Sequence, residues 1–355
     1  MIGDAADDHA GLAARKSCGA VTRVAVLGAG SWGTTVAAHL AARTPTTLWA
    51  RSEAVVAEIG ERNTNSSYLG DRPLPRALRA TSSLAEALLG ASLIVVAVPS
   101  HGVRDVLDAA AGLAGPGVPV LSLTKGLEQE SLRRMSEVIG ECWPDRSVGV
   151  LTGPNLATEV LDGQPTASVI ALDDEQLARE LQGLFATDAM RVYTNLDVVG
   201  CEIAGVVKNV MAIASGMAVG LGFGDNTRAA LITRSLAELA RLGVALGGDP
   251  LTFSGLAGLG DLVATCTSPK SRNFAVGVAL GQGRSLDDAL GATPMVAEGV
   301  RSSRPVVALA HRLGVEVPVA EQVVAVCFEG CPPEETIPRL MLRAAKSELH
   351  GIARG

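Results

Sequence analysis

The sequence predicts an α/β fold with a parallel β-sheet, followed by an all-α domain. Up to about residue 200, short runs of Val, Ile and Leu alternate with amphipathic segments, which is the pattern of parallel strands that helices cover on both faces. Beyond that residue strands become hard to find, and long segments rich in Ala, Leu, Val and Gly indicate packed helices. We therefore divide the chain into a disordered leader, residues 1–20, a sheet domain, residues 21–200, and a helical domain, residues 201–350.

The sheet domain contains six predicted strands. The strongest is 93–98, Leu-Ile-Val-Val-Ala-Val, which Pro99 ends because proline has no amide hydrogen for a strand ladder. A helix is expected at 34–43, between the first two strands, and a shorter helix from Ser83, where a capping-box pattern begins, to Gly90. The strands are predicted at 24–27, 46–49, 93–98, 118–123, 148–151 and 167–172.

The helical domain is expected to contain seven helices, and its most apolar segment is too short to cross a membrane. That segment, Met211–Gly224, is uncharged but has only 14 residues, fewer than the roughly 20 that span a bilayer. A buried helix is the better interpretation, so we do not expect a membrane-embedded protein. The helices are predicted at about 198–222, 227–245, 272–281, 285–290, 300–313, 319–330 and 334–346.

The composition excludes several classes of function. A net charge of −7, with only three Trp, two Tyr and five Phe, argues against nucleic-acid binding, which needs cationic surfaces and stacking rings. Residues 1–20 carry three aspartates and lack a continuous apolar core, so they do not resemble a signal peptide. The six cysteines form no C-x-x-C pair and no zinc spacing. We therefore expect reduced thiols, no metal and a cytoplasmic location.

A glycine motif after the first strand predicts a dinucleotide site. Gly28, Gly30 and Gly33 form G-x-G-x-x-G between the strand at 24–27 and a predicted helix. In this setting Gly28 permits the tight turn, Gly30 lets a pyrophosphate approach the backbone, and Gly33 allows close helix–strand packing. The amides at the helix N-terminus then face the phosphates. The alternative is an ordinary glycine-rich turn, but the strand–turn–helix setting favours a Rossmann-type domain.

The end of the second strand favours NADP(H) as the cofactor. Many NAD-specific sites place an acid there to hold the ribose 2′-hydroxyl, whereas this chain has Arg51. An arginine can pair with the 2′-phosphate of NADP(H). Use of NAD(H) stays open, because Arg51 is also acceptable as a surface arginine close to Glu53.

Lys208 is the strongest candidate for proton transfer. It is the only charged residue between Gly205 and Gly220, in a chain with only five lysines. Burial lowers lysine pKa values by up to about 3–5 units, and an ammonium that readily loses its proton suits a general acid or base. The alternative is a packed core helix whose lysine merely extends its amine to the surface. The position just after the predicted domain junction favours the functional interpretation.

Four further segments carry polar groups that suit an anionic substrate. Lys125 and the segment Gly153-Pro154-Asn155 follow strands, at the edge where open parallel sheets bind ligands. Asp261 ends a glycine-rich run, and Ser271-Arg272-Asn273 places three polar side chains at a predicted helix start, which suits a phosphate monoester. Turn chemistry and helix capping are the alternatives for these segments. The histidines without metal spacing or a nucleophile partner, interpreted as structural, are His39, His101 and His311.

A series of short motifs runs along residues 22–348 in a fixed order. The motifs are G-A-G-S-W-G (28–33), V-P-S-H (98–101), T-K-G-L-E (124–128), G-P-N-L-A (153–157), K-N-V-M-A-I-A-S-G (208–216), R-A-A-L-I-T-R (228–234), G-L-G-D-L (258–262), T-C-T-S-P-K-S-R-N (265–273), V-A-E-G (296–299) and H-R-L-G-V-E-V-P (311–318). In this order they resemble the bacterial NAD(P)-dependent sn-glycerol-3-phosphate dehydrogenase family. Several of them are much more specific than the glycine motif alone.

The resemblance implies a fold, a reaction and a set of site residues. The family couples a Rossmann domain to an all-α substrate domain and reduces dihydroxyacetone phosphate to sn-glycerol 3-phosphate with NADPH or NADH, which supplies the glycerol backbone of phospholipids. By motif position, Lys208 matches the catalytic lysine. The positions that match substrate contacts are Lys125, Gly153, Asn155, Asp261, Ser271, Arg272 and Asn273. Besides the glycines, the positions that match cofactor contacts are Ser31, Trp32, Arg51, Lys125, Ala157, Arg272, Val296 and Glu298.

This chain departs from the family pattern at one of these positions. The family usually has Ser or Thr followed by Phe where this chain has Asn155 and Leu156. Asparagine can still form hydrogen bonds, so the departure concerns one contact and not the activity.

The expected chemistry is proton transfer to a ketone that accepts a hydride. Lys208 is expected to protonate the carbonyl oxygen, with Asp261 and Asn209 orienting its amine and Arg272 holding the substrate phosphate. Two alternatives stay open: a reductase for carboxylate substrates, of the β-hydroxyacid or ketopantoate type, and a sensor that binds NADP(H) without catalysis. A homodimer formed through the helical domain is compatible with the sequence.

Overall fold

The computed structural model describes residues 21–291 and 296–341. The predicted leader, residues 1–20, lies outside these ranges, as does the end of the predicted helix at 334–346. Within them, a sheet comes first and a set of helices follows, so the predicted fold class is confirmed. The last strand ends at Asn195 and the longest helix begins at Val198.

The described part of the chain forms one sheet of eight strands. They are β1 (Val24–Leu27), β2 (Thr46–Trp49), β3 (Arg79–Thr81), β4 (Leu93–Val96), β5 (Val120–Ser122), β6 (Val148–Thr152), β7 (Thr166–Ala171) and β8 (Met190–Asn195). Their spatial order is β3-β2-β1-β4-β5-β6-β7-β8, and neighbours are parallel except for β6 and β7. The strand order changes direction between β1 and β4, which is where sheets of this kind bind ligands at their carboxyl ends.

Two strands and one change of direction were not foreseen. β3 has only three residues, and β8 alternates buried with exposed side chains at the outer edge of the sheet. Neither contains the continuous apolar run of a strand that is buried on both faces. The connection from β6 to β7 holds a helix of only five residues, whereas a parallel crossover usually includes a full helix. β7 therefore runs antiparallel to β6, the one antiparallel pair in the described sheet.

Helices cover both faces of the sheet. On β1, Val24 and Val26 pack into one core while Ala25 and Leu27 pack into the other, and all four side chains are fully buried. This arrangement explains why β1 is apolar at every position. The helices of this domain are α1 (Ser31–Ala41), α2 (Glu53–Arg62), α3 (Ser66–Leu69), α4 (Leu84–Leu88), α5 (Val103–Ala109), α6 (Met135–Cys142), α7 (Ala157–Leu161) and α8 (Glu175–Phe185).

The second domain is built around one long helix. Its elements are α9 (Val198–Gly220), α10 (Asp225–Ala245), α11 (Pro250–Ser254), α12 (Asp261–Thr267), α13 (Arg272–Gly281), α14 (Leu286–Gly291), α15 (Glu298–Arg312), α16 (Pro318–Phe328) and α17 (Thr336–Met341). α9 packs against α10, α12, α13, α15 and α16. Within the described residues it is the one helix long and apolar enough to cross a membrane, but 89% of its apolar window is buried inside the protein. It is therefore a core helix, as the sequence predicts.

Helices α9 and α13 touch through their backbones. A Cβ atom on Gly216 would lie 2.1 Å from a carbonyl oxygen of α13, and one on Gly277 would lie 2.1 Å from a carbonyl oxygen of α9. Gly220 and Gly281 form a second contact of this kind one turn further along. The two helices run in the same direction, so the first turn of α13 lies beside the middle of α9, next to Lys208. We call these two pairs the α9–α13 glycine contact.

Candidate functional site

A cleft brings together the predicted site residues of both domains. It has a volume of about 580 Å³ and lies at the carboxyl ends of β1, β4 and β5, facing α9 and α13. Lys208 and all of the predicted cofactor contacts line it. The predicted substrate contacts also line it, except that Gly153 and Asp261 are not part of its described lining. Those two lie behind the cleft wall, where both bind Lys125.

The three glycines of the motif have different surroundings. A Cβ atom on Gly28 would lie 2.7 Å from the Ala97 backbone, and one on Gly33 would lie 2.0 Å from the Gly28 carbonyl oxygen. Gly28 also has a φ of +117°, which L side chains rarely adopt. Around Gly30, by contrast, no described atom other than those of Gly30 and its two chain neighbours lies within 4 Å of where its Cβ would stand. Close packing therefore requires Gly28 and Gly33, whereas Gly30 leaves open space.

That open space lies in front of the α1 N-terminus and fits a dinucleotide. Gly30 is the N-cap residue of α1, and the first amides of a helix have no partners within the helix itself. They can bind a pyrophosphate, as helix N-termini commonly do. On the same wall, the buried Trp32 Nε1 has no hydrogen-bond partner among the described residues. A buried donor in that state indicates an acceptor that a ligand supplies, so these residues fit a nicotinamide dinucleotide.

Two lysines that line the cleft share one buried carboxylate behind its wall. Lys208 Nζ donates to Asp261 Oδ1 at 2.5 Å, and Lys125 Nζ donates to Asp261 Oδ2 at 2.6 Å. Lys125 also donates to the Gly153 carbonyl oxygen at 3.3 Å. Lys208 is only 6% exposed and Asp261 only 1%, so Lys208 does not extend to solvent as a surface lysine would. The carboxylate therefore fixes the relative position of the two amines.

Burial and charge set the protonation of this group. Burial lowers the pKa of Lys208 to about 8; Asp261 opposes this shift, and the positive charge of Lys125 adds to it. Burial would raise the pKa of Asp261, but the two ammonium groups outweigh it and bring that pKa below its ordinary value. Asp261 therefore stays ionised, while Lys208 can exchange a proton near neutral pH.

Two neighbours of Lys208 differ from the sequence-based expectation. Thr265, to which no role was assigned, accepts a hydrogen bond from Lys208 Nζ at 2.7 Å. Thr265 lies four residues after Asp261 on α12. Residues at this spacing lie on the same face of a helix, and this was the sequence signal that could have indicated Thr265. Asn209 was expected to orient the amine, but its side chain donates to the Lys125 carbonyl oxygen at 3.4 Å and accepts from Asn273 at 3.0 Å. The reason is geometric, since successive helical residues point about 100° apart.

The start of α13 forms the far end of the cleft. Ser271 is its N-cap residue, and the Ser271 hydroxyl accepts from the Phe274 amide at 3.3 Å. The guanidinium of Arg272 donates to the Val296 carbonyl oxygen at 2.9 Å and keeps further donors for a ligand. Burial lowers the pKa of Arg272, against the effect of Glu298, but an arginine remains charged. A helix N-terminus, a hydroxyl and a guanidinium together suit an anion.

Asn273 is largely occupied by protein contacts. It donates to Asn209 on α9 at 3.0 Å and accepts from the Gly299 amide on α15 at 2.9 Å. One of its amide hydrogens remains for a ligand in the cleft. Asn273 therefore ties three helices together at the predicted phosphate end, in addition to any contact with substrate.

Two further predicted cofactor contacts lie on opposite walls. Glu298, the first residue of α15, accepts from the Ser100 amide at 3.2 Å and from the Ser100 hydroxyl at 2.9 Å. This pair joins the two domains at the edge of the cleft. Arg51 is exposed just after β2 and lines the cleft next to Ser52, the N-cap residue of α2.

Asn155 keeps a donor available at the position where the family has Ser or Thr. Its Oδ1 accepts from the Ser168 hydroxyl at 2.8 Å, which fixes the orientation of the amide. Its Nδ2 is buried on the cleft wall and has no partner within the described chain. The departure from the family pattern therefore replaces a hydroxyl with an amide donor that is buried on the cleft wall and unpaired among the described residues.

The histidines have different surroundings. His39 Nε2 lies 2.7 Å from the Phe185 carbonyl oxygen, and burial lowers its pKa. His311 lies 3.0 Å from Glu321. Both contacts fit a structural role, whereas His101 lines the cleft. The cysteines that the structure describes, all free thiols, are Cys142, Cys201, Cys266, Cys327 and Cys331.

Comparison with protein-family models finds two matches that together span both domains. Residues 23–178 match the NAD-dependent glycerol-3-phosphate dehydrogenase N-terminus, and residues 197–338 match the C-terminus of the same family. The chain is 55% identical over 301 residues to glycerol-3-phosphate dehydrogenase [NAD(P)+] 2 of Sphingopyxis alaskensis, covering 85% of this chain and 90% of the relative. It is 50% identical over 332 residues to glycerol-3-phosphate dehydrogenase [NAD(P)+] of Corynebacterium jeikeium, covering 92% and 100%.

Solved structures agree with the sequence relatives. The crystal structure of glycerol-3-phosphate dehydrogenase from Coxiella burnetii matches with a TM-score of 0.88 and 38% identity, covering 91% of this chain and 99% of that one. A ketopantoate reductase from Ralstonia eutropha matches with a TM-score of 0.57 and 19% identity, covering 89% and 100%. The second likeness shows a shared fold alone.

Proposed function

This chain belongs to the NAD-dependent glycerol-3-phosphate dehydrogenase family, and we propose that Lys208 is the general acid and base of its reaction. That reaction is the reversible NAD(P)H-dependent reduction of dihydroxyacetone phosphate to sn-glycerol 3-phosphate. One observation carries the proposal: Lys208 is a buried amine on the cleft wall, with its pKa lowered to about 8. It lines the same cleft as the glycine turn, which fits the cofactor, and the start of α13, which suits a phosphate.

The reaction needs a proton at one oxygen. When bound, the nicotinamide supplies a hydride to the carbonyl carbon of the substrate. Lys208 then donates its proton to the carbonyl oxygen, where negative charge develops, and it takes the proton back in the oxidative direction. General acid–base catalysis of this kind contributes about 10²–10⁴-fold to the rate.

Lys125 and Asp261 adjust the charge around Lys208. With Lys208 protonated, two ammonium groups and one carboxylate carry a net positive charge, which stabilises a developing oxyanion. After proton transfer the three groups together are neutral. Asp261 thus acts through the lysines: it holds both amines in position from behind the cleft wall and does not bind the substrate directly.

We place the substrate phosphate at the start of α13. Its amides and the side chains of Ser271, Arg272 and Asn273 converge there, and a guanidinium binds phosphate oxygens with a well-matched geometry. Gly153 supports this site indirectly, through its carbonyl contact with Lys125. Asn155 supplies a further donor from the sheet-domain wall.

We propose that NADP(H) is the preferred form of the nicotinamide cofactor. Arg51, exposed on the cleft wall after β2, supports this preference because it can pair with a 2′-phosphate. Comparison of KM for NADPH and NADH tests it, together with Arg51→Ala, which should raise KM for NADPH more than KM for NADH. A clear preference of the wild type for NADH would contradict the assignment.

One assay distinguishes the activity from its alternatives. The purified protein is given NADPH with dihydroxyacetone phosphate, with ketopantoate or with no second substrate, and the loss of NADPH absorbance is followed. We expect turnover with dihydroxyacetone phosphate. Preferential turnover of ketopantoate would favour a carboxylate reductase, and NADPH binding without any turnover would favour a sensor.

We further propose that the enzyme works in the cytoplasm and supplies the glycerol backbone of phospholipids. The family membership supports this placement. The division at about residue 200 and a homodimer through the helical domain stay predictions, which limited proteolysis and sedimentation analysis would test.

A further inference from the structure

A third lysine lines the cleft and has no part in the proposed proton transfer. The chain has five lysines, and the three that the structure describes, Lys125, Lys208 and Lys270, all line this one cleft. Lysine and arginine are not interchangeable where a compact, mobile ammonium is needed. A chain that is rich in arginine but keeps lysine at its ligand cleft indicates that Lys270 also serves the ligand.

Lys270 lies directly before the phosphate end of the cleft. Its backbone amide donates to the Ser268 hydroxyl at 3.2 Å, and the next residue, Ser271, is the N-cap residue of α13. The backbone is therefore held in a turn, while the side chain is 49% exposed and can change direction. A lysine side chain is long enough to sample the space in front of the α13 N-terminus from this position.

The partner of Lys270 comes from the opposite wall. Lys270 Nζ lies 2.8 Å from Glu159 Oε1. Glu159 belongs to α7, two residues after the predicted cofactor contact Ala157, so this ion pair crosses from the helical domain to the sheet domain. Both side chains are partly exposed, and pairs of this kind contribute little to stability. The ammonium can therefore change partners at little cost.

The phosphate end needs another positive charge. Arg272 shares its surroundings with Glu298, whose charge acts on it, and Lys125 is paired with Asp261. A phosphate monoester carries close to two negative charges at pH 7, because its second pKa is about 6. These two cations of the cleft are thus partly neutralised by carboxylates before the substrate arrives. Compared with these two, Lys270 can separate from its carboxylate partner more easily, because that ion pair is partly exposed.

We propose that Lys270 is a further phosphate-recognition residue of this enzyme, whose ammonium exchanges the Glu159 carboxylate for the substrate phosphate. Glu159 then sets how readily the exchange occurs. The inference rests on the proposed position of the phosphate at the start of α13. The alternative is an ion pair that only joins the two domains. Removal of either partner would then break the same contact and have the same effect on KM. Exchange predicts opposite effects for the two partners.

The test is the KM for dihydroxyacetone phosphate at saturating NADPH, measured for the wild type, Lys270→Ala, Glu159→Gln and the double variant. Lys270→Ala should raise KM about five- to tenfold, with kcat falling less than KM rises. Glu159→Gln should lower KM about two- to threefold, because the ammonium no longer has a competing partner. The double variant should resemble Lys270→Ala. Added salt should raise the KM of the wild type more than that of Lys270→Ala.

Two controls complete the experiment. Arg72→Ala removes the ion pair of 2.7 Å that Arg72 forms with Asp162, the C-cap residue of α7. Neither residue belongs to the described lining of the cleft, so this variant should leave KM at the wild-type value. Arg272→Ala tests the phosphate position itself. If Arg272→Ala raises KM and Lys270→Ala does not, the role of Lys270 is refuted while the phosphate position stands. If neither raises KM, both are refuted. A change of KM in the same direction for Lys270→Ala and Glu159→Gln would overturn the exchange.

Discussion

The two walls of the cleft offer different chemical groups to a ligand. The sheet-domain wall offers the backbone amides of a turn and open space over Gly30. The helical wall offers the buried side chain of Lys208 and the half-buried side chain of Arg272, which come from different helices. Glycine serves the two walls in opposite ways: at Gly30 it leaves space, whereas at the α9–α13 glycine contact it lets two backbones touch. The site on the sheet-domain wall is therefore formed by one short segment of the chain, whereas the site on the helical wall depends on how α9 and α13 pack.

The largest effect should follow from removal of the Lys208 amine. Lys208→Met keeps most of the side-chain volume in the buried site but cannot carry a proton. We expect kcat to fall about 10²–10⁴-fold, while NADPH binding, measured by fluorescence, persists because the glycine turn belongs to the other wall. A folded Lys208→Met protein with a kcat near the wild-type value would contradict the role of Lys208.

The glycine turn can be divided by one substitution at two positions. Gly33→Ala would place a Cβ atom 2.0 Å from the Gly28 carbonyl oxygen, so we expect the free energy of unfolding to fall by about 1–3 kcal/mol or more, with weaker NADPH binding. Gly30→Ala adds a Cβ atom in open space, so it should cost only about 0.5–1 kcal/mol, the difference between Gly and Ala as N-cap residues. It should still raise KM for NADPH. Equal losses of stability in the two variants would contradict this division.

The α9–α13 glycine contact should affect both stability and catalysis. Gly277→Ala would place a Cβ atom 2.1 Å from a carbonyl oxygen of α9, pushing α13 and Arg272 away from Lys208. We expect a loss of about 1–3 kcal/mol in unfolding free energy and a higher KM for dihydroxyacetone phosphate. The matched control is Gly183→Ala on α8, where no described atom lies within 4 Å. It should stabilise the protein by about 0.5–1 kcal/mol, and a destabilised Gly183→Ala would show that these local distances do not govern the outcome.

The sequence predicted the sheet-domain wall more completely than the helical wall. Gly28, Gly30 and Gly33 lie within six positions, so a local motif contains the whole turn. Lys208 was visible because a lone charge stands out in an apolar helix. The contacts of Asp261 with Lys125 and Lys208 join residues 136 and 53 positions apart, and only the packing of the helices on one another and against the end of β5 brings them together. The edge strands β3 and β8 were missed for a related reason, since partial exposure removes the apolar run.

Proton transfer by Lys208 is the central claim, and the pH dependence of kcat/KM in both directions tests it most directly. Reduction needs the protonated amine and oxidation needs the neutral amine. With the pKa of Lys208 at about 8, kcat/KM for dihydroxyacetone phosphate should fall as the pH rises above that value, whereas kcat/KM for glycerol 3-phosphate should rise towards a plateau.

The same measurement on Asp261→Asn supplies the decisive comparison. Asp261 raises the pKa of Lys208 against the effect of burial, so its neutral replacement should move both transitions to lower pH. Opposite slopes in the two directions, with a common shift in Asp261→Asn, are the predicted result. Transitions with the same slope in both directions, or unmoved in Asp261→Asn, would contradict the account.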